Sequence, residues 1–106
     1  MGLYLAKESP MRFIQVMEFE ATGERASEEV NNYVAAAGSD TTVCRITVCV
    51  DRDKPGTIVQ LVEFDSHADA MVNNQLEVTQ EASADNNAGL GDVAFRNLDV
   101  FETFEL

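Results

Sequence analysis

Tryptophan is absent from these 106 residues, histidine occurs once, cysteine and proline twice each, and basic residues are scarce. Seven Lys and Arg stand against nineteen Asp and Glu, a net charge of −12. A surface so poor in positive charge repels phosphate backbones and anionic lipid, so neither nucleic acid nor a membrane is expected as a partner. Solubility is the plain account of the acidity. No apolar run approaches the ~20 residues that a bilayer-spanning helix requires. Cys44 and Cys49 fall in one predicted strand, where five residues of extended chain set them roughly 16 Å apart on opposite faces. That is beyond disulfide reach. Free thiols fit a reducing compartment, so a cytoplasmic setting is expected. Neither cysteine has a His or second Cys close in sequence, so each reads as a buried core residue and no metal site is expected.

What is present fits one domain. The chain is 45% hydrophobic and 25% charged, the balance of a globular protein. Residues 1–10 hold a short apolar run without a basic leader or a cleavage site, and they read as a flexible N-terminal extension to a domain spanning 11–106. A chain of this length buries only roughly 60–70% of its unfolded surface, which makes association useful.

Periodicity gives the element order. Met11 to Glu20 alternates, with Phe13, Met17 and Phe19 on one face and Ile14 and Val16 on the other. Ala26, Val30, Tyr33, Val34 and Ala37 then recur at helical spacing, and Gly38 is placed to stop the helix. Thr42 to Val50 reads as a second strand with Cys44, Ile46, Val48 and Val50 on one face. The Asp51–Gly56 turn leads to a third strand, Thr57 to Phe64. Ser66, with Asp69 three residues on, caps a second helix predicted to pack Ala68, Met71 and Val72. It loosens at Asn73-Asn74-Gln75, resumes at Leu76 and ends near Gly89 and Gly91. Val93 to Leu106 reads as the last strand.

The order β-α-β-β-α-β predicts an α+β, ferredoxin-like fold, with both helices on one face of a four-stranded antiparallel sheet. Yet the first and third strands are apolar on both faces, and an open apolar sheet face is rarely tolerated by a soluble monomer. Pairing with a second copy through that face is the simplest resolution.

The chain resembles the antibiotic-biosynthesis-monooxygenase-like domains of the dimeric α-β barrel superfamily over about Met11 to Leu106. The likeness rests on Met11-Arg12-Phe13-Ile14-Gln15-Val16, on Val62-Glu63-Phe64-Asp65-Ser66 leading into a helix with Ala70-Met71, and on Phe95-Arg96-Asn97-Leu98-Asp99-Val100. It implies a homodimer closed sheet against sheet and a pocket between helices and sheet. It also implies oxidation of a small aromatic, phenolic or quinone-like substrate with no cofactor. The chain departs from the family pattern at two places. It has Asp65 where many members carry an aromatic, and Asn74 where many carry a histidine. Without tryptophan, the haem-opening branch is not supported.

The residues that can carry such chemistry are few. His67, the one histidine, can act as a base, but in a first helical turn an ordinary exposed histidine is the first reading. Asn74 is the first choice for a pocket residue: a side-chain amide there can hold developing negative charge, while the plainer account is that Asn weakens and caps the helix. Tyr33, Gln15, Gln60 and Arg45 can give an apolar pocket its polar contacts. Arg45, in mid-strand, calls either for an anionic ligand or for a salt bridge, and the bridge is the first reading. Glu77, Glu81 and Asp85 form a solvated helix face, and Asp51-x-Asp53 fails as a calcium loop at Pro55 and Val62. The alternative function is a non-catalytic ligand-binding or interaction homodimer that retains the fold.

Overall fold

β-branched and aromatic residues dominate the segments that become strands. The computed structural model describes residues 11–77, 79–80 and 92–106. In it β1 spans Phe13–Glu20, β2 Val43–Val50, β3 Thr57–Phe64 and β4 Ala94–Asp99. Helix α1 spans Gly23–Ala37 and α2 His67–Asn74, with a 3-10 turn at Gly38–Asp40. The sheet order is β2-β3-β1-β4, antiparallel throughout. Each helix joins two strands that flank a third, so the ferredoxin-like β-α-β-β-α-β order expected from the sequence is the order observed. The expected N-terminal extension lies outside the described residues, as do residues 81–91 with the glycines expected to end the second helix.

Local chemistry fixes the helix ends. Thr22 Oγ1 accepts from the Arg25 backbone N–H at 3.1 Å and Ser66 Oγ from that of Asp69 at 3.1 Å, each meeting a donor that the first helical turn leaves free. Gly38, at φ 56°, turns α1 off while its N–H reaches the Val34 carbonyl. A side chain would be strained in that conformation.

Both helices lie on one face of the sheet. There Phe13, Val62, Phe64 and Ala70 form one core cluster, and Phe19, Ala26 and Ile58 form a second. Met17 packs against both. Ile58 is fully buried, a burial worth about 1.5–3 kcal/mol. The sheet-facing helix positions are small (Ala26, Ala37, Ala70), which lets the helices approach the strands closely.

Four local expectations are corrected. Val34, Met71 and Val72 are exposed, and Ala68 with them, because α1 and α2 present Ala26 and Ala37, and Ala70 and Asn73, to the sheet instead. In β2, Val43 pairs with Phe64 and Arg45 with Glu63, so Cys44 is the extra residue of a β-bulge. Val43 therefore joins the core, Cys44 is exposed, and Cys49 is only half-buried. Finally, β4 stops at Asp99 rather than running to Leu106. The Val100 N–H still reaches the Arg12 carbonyl at 2.8 Å, but β1 begins at Phe13, so the ladder has no further partner there.

The other face of the sheet is uncovered by either helix. Register puts Val16 beside Leu61, Ile14 beside Leu98, and Val59 beside Cys49 on it. Arg45, Arg96 and Glu63 stand among them.

Candidate functional site

The polar centre of the molecule is built where the end of α2 meets the start of β2. Asn73 is the last sheet-facing residue of α2 and is only 4% exposed. Its Oδ1 accepts from the Thr42 backbone N–H at 3.1 Å, from Thr41 Oγ1 at 2.8 Å and from Tyr33 Oη at 3.2 Å. A backbone N–H can only donate, so the atom facing Thr42 must be the amide oxygen and the side-chain orientation is fixed. Thr42 Oγ1 also donates to the Asp69 carbonyl at 2.6 Å, clamping the β2 entry to α2. Tyr33 reaches in from α1, and its hydroxyl meets Thr79 Oγ1 at 2.9 Å and Thr41 Oγ1 at 3.0 Å. The single phenolic proton thus has three oxygens to choose from within this cluster.

Beside the cluster, between helices and sheet, lies a cavity of 100 Å³. Its apolar walls are Met17, Val43, Ile46, Val62, Phe64 and Phe95; its polar lining is Gln15, Tyr33, Gln60, Asn73, Asn74 and Thr79. Gln60 is buried, and its Nε2 lies 3.8 Å from Met17 Sδ. Gln15 Nε2 donates to Asn97 Oδ1 at 3.4 Å. Small-molecule sites combine apolar walls with convergent polar groups, and here the two kinds of residue are equal in number. No carboxylate, imidazole or amine lines it among the described residues.

Four of the six residues singled out in the sequence are brought together here: Tyr33, Gln15, Gln60 and Asn74. The other two are placed elsewhere. His67 opens α2 with its ring edge-on to Phe13 (centroids 5.0 Å apart) and is exposed. Arg45 is on the outer sheet face, where Nε and Nη2 bind the Glu63 carboxylate at 2.8 and 3.2 Å. That carboxylate raises the arginine further above its ordinary value. Asn73 is the residue that sequence reasoning passed over in favour of its neighbour. It lies three residues after buried Ala70, one turn along the same helical stripe, and that spacing was the available signal.

A second cleft, of 560 Å³, opens near the β2–β3 hairpin between Glu18, Glu20, Lys54 and Asp92. Despite its volume it is an open, charged groove, with Lys54 paired to Glu18 at 3.7 Å. The smaller cavity is the better candidate because Gln60 and Asn73 are buried on its wall and the Tyr33 hydroxyl ties Asn73 to Thr79. Among the described residues no group of three or more His, Cys, Asp or Glu is arranged to hold a metal ion.

Two helices over one face of a β2-β3-β1-β4 antiparallel sheet, with a cavity beneath them, define a ferredoxin-like α+β domain. More narrowly, the chain has the fold of the antibiotic-biosynthesis-monooxygenase-like domains. It is similar to SnoaB, a cofactor-independent oxygenase from Streptomyces nogalater, at TM-score 0.71 and 14% identity, covering 88% of this chain and 96% of that one. An antibiotic-biosynthesis-monooxygenase-like protein from Deinococcus radiodurans superposes at TM-score 0.70 and 12% identity, covering 89% and 97% of the two chains. Another, from Caulobacter crescentus, gives TM-score 0.69 and 11% identity over 94% and 99%. No protein-family model and no curated protein matches the chain in sequence. At such identities the likeness is one of fold.

Proposed function

We propose that the chain is a cofactor-independent monooxygenase-like enzyme that binds a small aromatic, phenolic or quinone-like substrate in the cavity between helices and sheet. The observation that carries this reading is the cavity itself: apolar walls with four amides and a phenol on them, Asn73 and Tyr33 being ordered by one another and by Thr41 and Thr42. Such groups can hold the oxygen of a phenolate or enolate as it forms, which eases loss of the substrate's proton. The electron-rich ring then reacts with dioxygen itself. For a hydroquinone the balance is hydroquinone plus O₂ to hydroxyquinone plus water, the substrate supplying all four electrons. The protein's part is to orient the ring and exclude water. Asn74, Tyr33, Gln15 and Gln60 are the lining residues assigned to that task. His67 and Arg45 enter it only if a ligand extends beyond the cavity.

The uncovered sheet face is read as the interface of a homodimer. Val16, Leu61, Ile14, Leu98 and Val59 make it apolar, and Arg45 and Arg96 give it two of the chain's seven basic residues. The free thiols of Cys44 and Cys49 fit a reducing, cytoplasmic setting. Among the described residues no helix is long and apolar enough to cross a membrane.

A second reading, a binding dimer without catalysis, is favoured by one observation: no ionisable base other than Tyr33 lines the cavity among the described residues. An oxygen electrode separates the two. Hydroquinones, naphthols and anthrones are supplied in air, and the enzyme reading expects one O₂ consumed per substrate, with Asn74→Ala lowering kcat/KM by about tenfold or more. Thermal stabilisation by the same compounds without oxygen uptake selects the binding dimer. Absence of both overturns the assignment of the cavity.

A further inference from the structure

Asn73 is a buried amide whose oxygen is fully used and whose nitrogen has no partner among the described residues. Its oxygen is committed to Thr42, Thr41 and Tyr33. Its Nδ2, with two N–H groups, has no hydrogen-bond partner among the described residues, although the side chain is 4% exposed and lines the cavity. A buried donor without an acceptor costs about 1–3 kcal/mol, so such a group stands in need of a reason. Gln60, also buried and also on the cavity wall, is the mirror case. Its Nε2 faces Met17 Sδ, which leaves Oε1 as an acceptor without a donor among the described residues. The Tyr33 proton stays inside the Thr41, Asn73 and Thr79 cluster and is not offered to the cavity.

Size adds an independent limit. The cavity measures 100 Å³, and a protein cavity of about 150 Å³ is already enough for benzene. The enclosed part therefore takes about one ring at most, and the open side of the cavity is where the rest of a larger ligand projects.

From these two observations we infer that the cavity selects a single-ring compound bearing two oxygens, a carbonyl-type oxygen that accepts from Asn73 Nδ2 and a hydroxyl that donates to Gln60 Oε1. This rests on the reading of the cavity as a ligand site, and it does not depend on oxygenase activity. It makes Asn73 the residue that recognises the ligand oxygen, while Thr41, Thr42 and Tyr33 act through it as positioning residues. Rings with only a hydroxyl or only a carbonyl use half of this recognition. A three-ring anthrone exceeds the enclosed part and has to lie partly outside it.

The test is binding under argon, so that turnover plays no part. The probes are 2- and 4-hydroxyacetophenone, with acetophenone, phenol and toluene as partial matches and 1,8-dihydroxyanthrone as the oversized one. A hydroxyacetophenone is expected to bind about tenfold tighter than acetophenone or phenol, the worth of one further buried hydrogen bond. Asn73→Asp keeps an oxygen for Thr42, Thr41 and Tyr33 but removes the amide donors. It is expected to weaken the hydroxyketone about tenfold or more while leaving toluene unaffected. Gln60→Met should erase the preference for the hydroxyl and leave acetophenone unchanged. Should Asn73→Asp fail to fold, the side-chain amide signals of Asn73 in a ¹⁵N-labelled unaltered protein give the same answer, moving with ketones and not with toluene.

Equal loss of toluene and hydroxyketone binding in Asn73→Asp, or amide signals indifferent to ketones, overturns the inference. So does tight binding of the anthrone with no binding of the single rings, a result that leaves the oxygenase reading intact. Asn73-dependent binding without any oxygen uptake in air does the reverse: the inference stands and the oxygenase reading falls.

Discussion

The two faces of the sheet are made from the same strands and have opposite fates. On the helix side, alternate residues of β1 and β3 (Phe13 and Phe19, Ile58, Val62 and Phe64) are buried by α1 and α2. On the other side, their neighbours Ile14, Val16, Val59 and Leu61 are nearly as apolar but, among the described residues, no helix covers them. A strand with apolar residues at both parities needs cover on both faces, and this chain carries helices for one. The covered face therefore holds the monomer together and shapes the cavity, while the uncovered face is the one proposed for association. The chemistry divides the same way: the buried side orders neutral amides and hydroxyls, and the open side sets Arg45 against Glu63.

Substitutions that treat the faces differently test this division. The largest effect on folding is expected on the covered face. Phe19→Ala should cost about 3–5 kcal/mol in chemical denaturation, since it empties the cluster around Ile58 and Ala26. On the open face, Leu61→Asp should spare the fold but weaken self-association by roughly a hundredfold, because it asks the interface to bury a charge. Native mass spectrometry reads it directly as a shift from two chains to one. A single-chain mass for the unaltered protein, or an undiminished dimer in Leu61→Asp, breaks the assignment of the two faces. Asn73→Ala is expected to cost about 1–3 kcal/mol, as Thr42, Thr41 and Tyr33 lose their common acceptor. A smaller loss would mean that the cluster orders little.

The smallest effect concerns Cys44. Local desolvation, then the hydrogen bond and charge of Asp65, push its thiol above the ordinary thiol range although the residue is exposed. A raised value keeps the protonated form at neutral pH, so alkylation by iodoacetamide should be slower than for a free cysteine peptide and should quicken only in more alkaline buffer. Asp65→Asn should lower the pH at which it quickens. Rapid labelling at neutral pH would contradict this environment for the bulge.

The strands and their order were legible because alternation and turn chemistry are local signals. Tyr33, Gln15, Gln60 and Asn74 reach one cavity for a related reason. Once the sheet order is known, the parity of a strand and the stripe of a helix say which way a residue faces. The misreadings mark where that logic ends. The bulge at Cys44 inserts one residue into β2 and reverses the facing of everything before it, and nothing in Val43-Cys44-Arg45 announces it. Asn73 and Asn74 both line the cavity, and about 100° of helical phase makes Asn73 the buried one of the two. That phase is settled by Ala70 packing on Phe64, not by either asparagine. Val34, Met71 and Val72 were misplaced through the same sensitivity to phase.

The sequence by itself determined the alternation of elements, the solvated acidic character and the excess of apolar residues over what two helices can cover, since these depend on composition and on periods of two and 3.6 residues. The tertiary structure alone decided that Tyr33 of α1, Asn73 of α2, Thr41 and Thr42 before β2, and Thr79 beyond α2 close into one cluster. It also placed Asn73 and Gln60, both buried, on the wall of one cavity. Hydrogen bonds between residues 31 to 46 positions apart have no counterpart in any local pattern, because they exist only after the sheet and helices have packed.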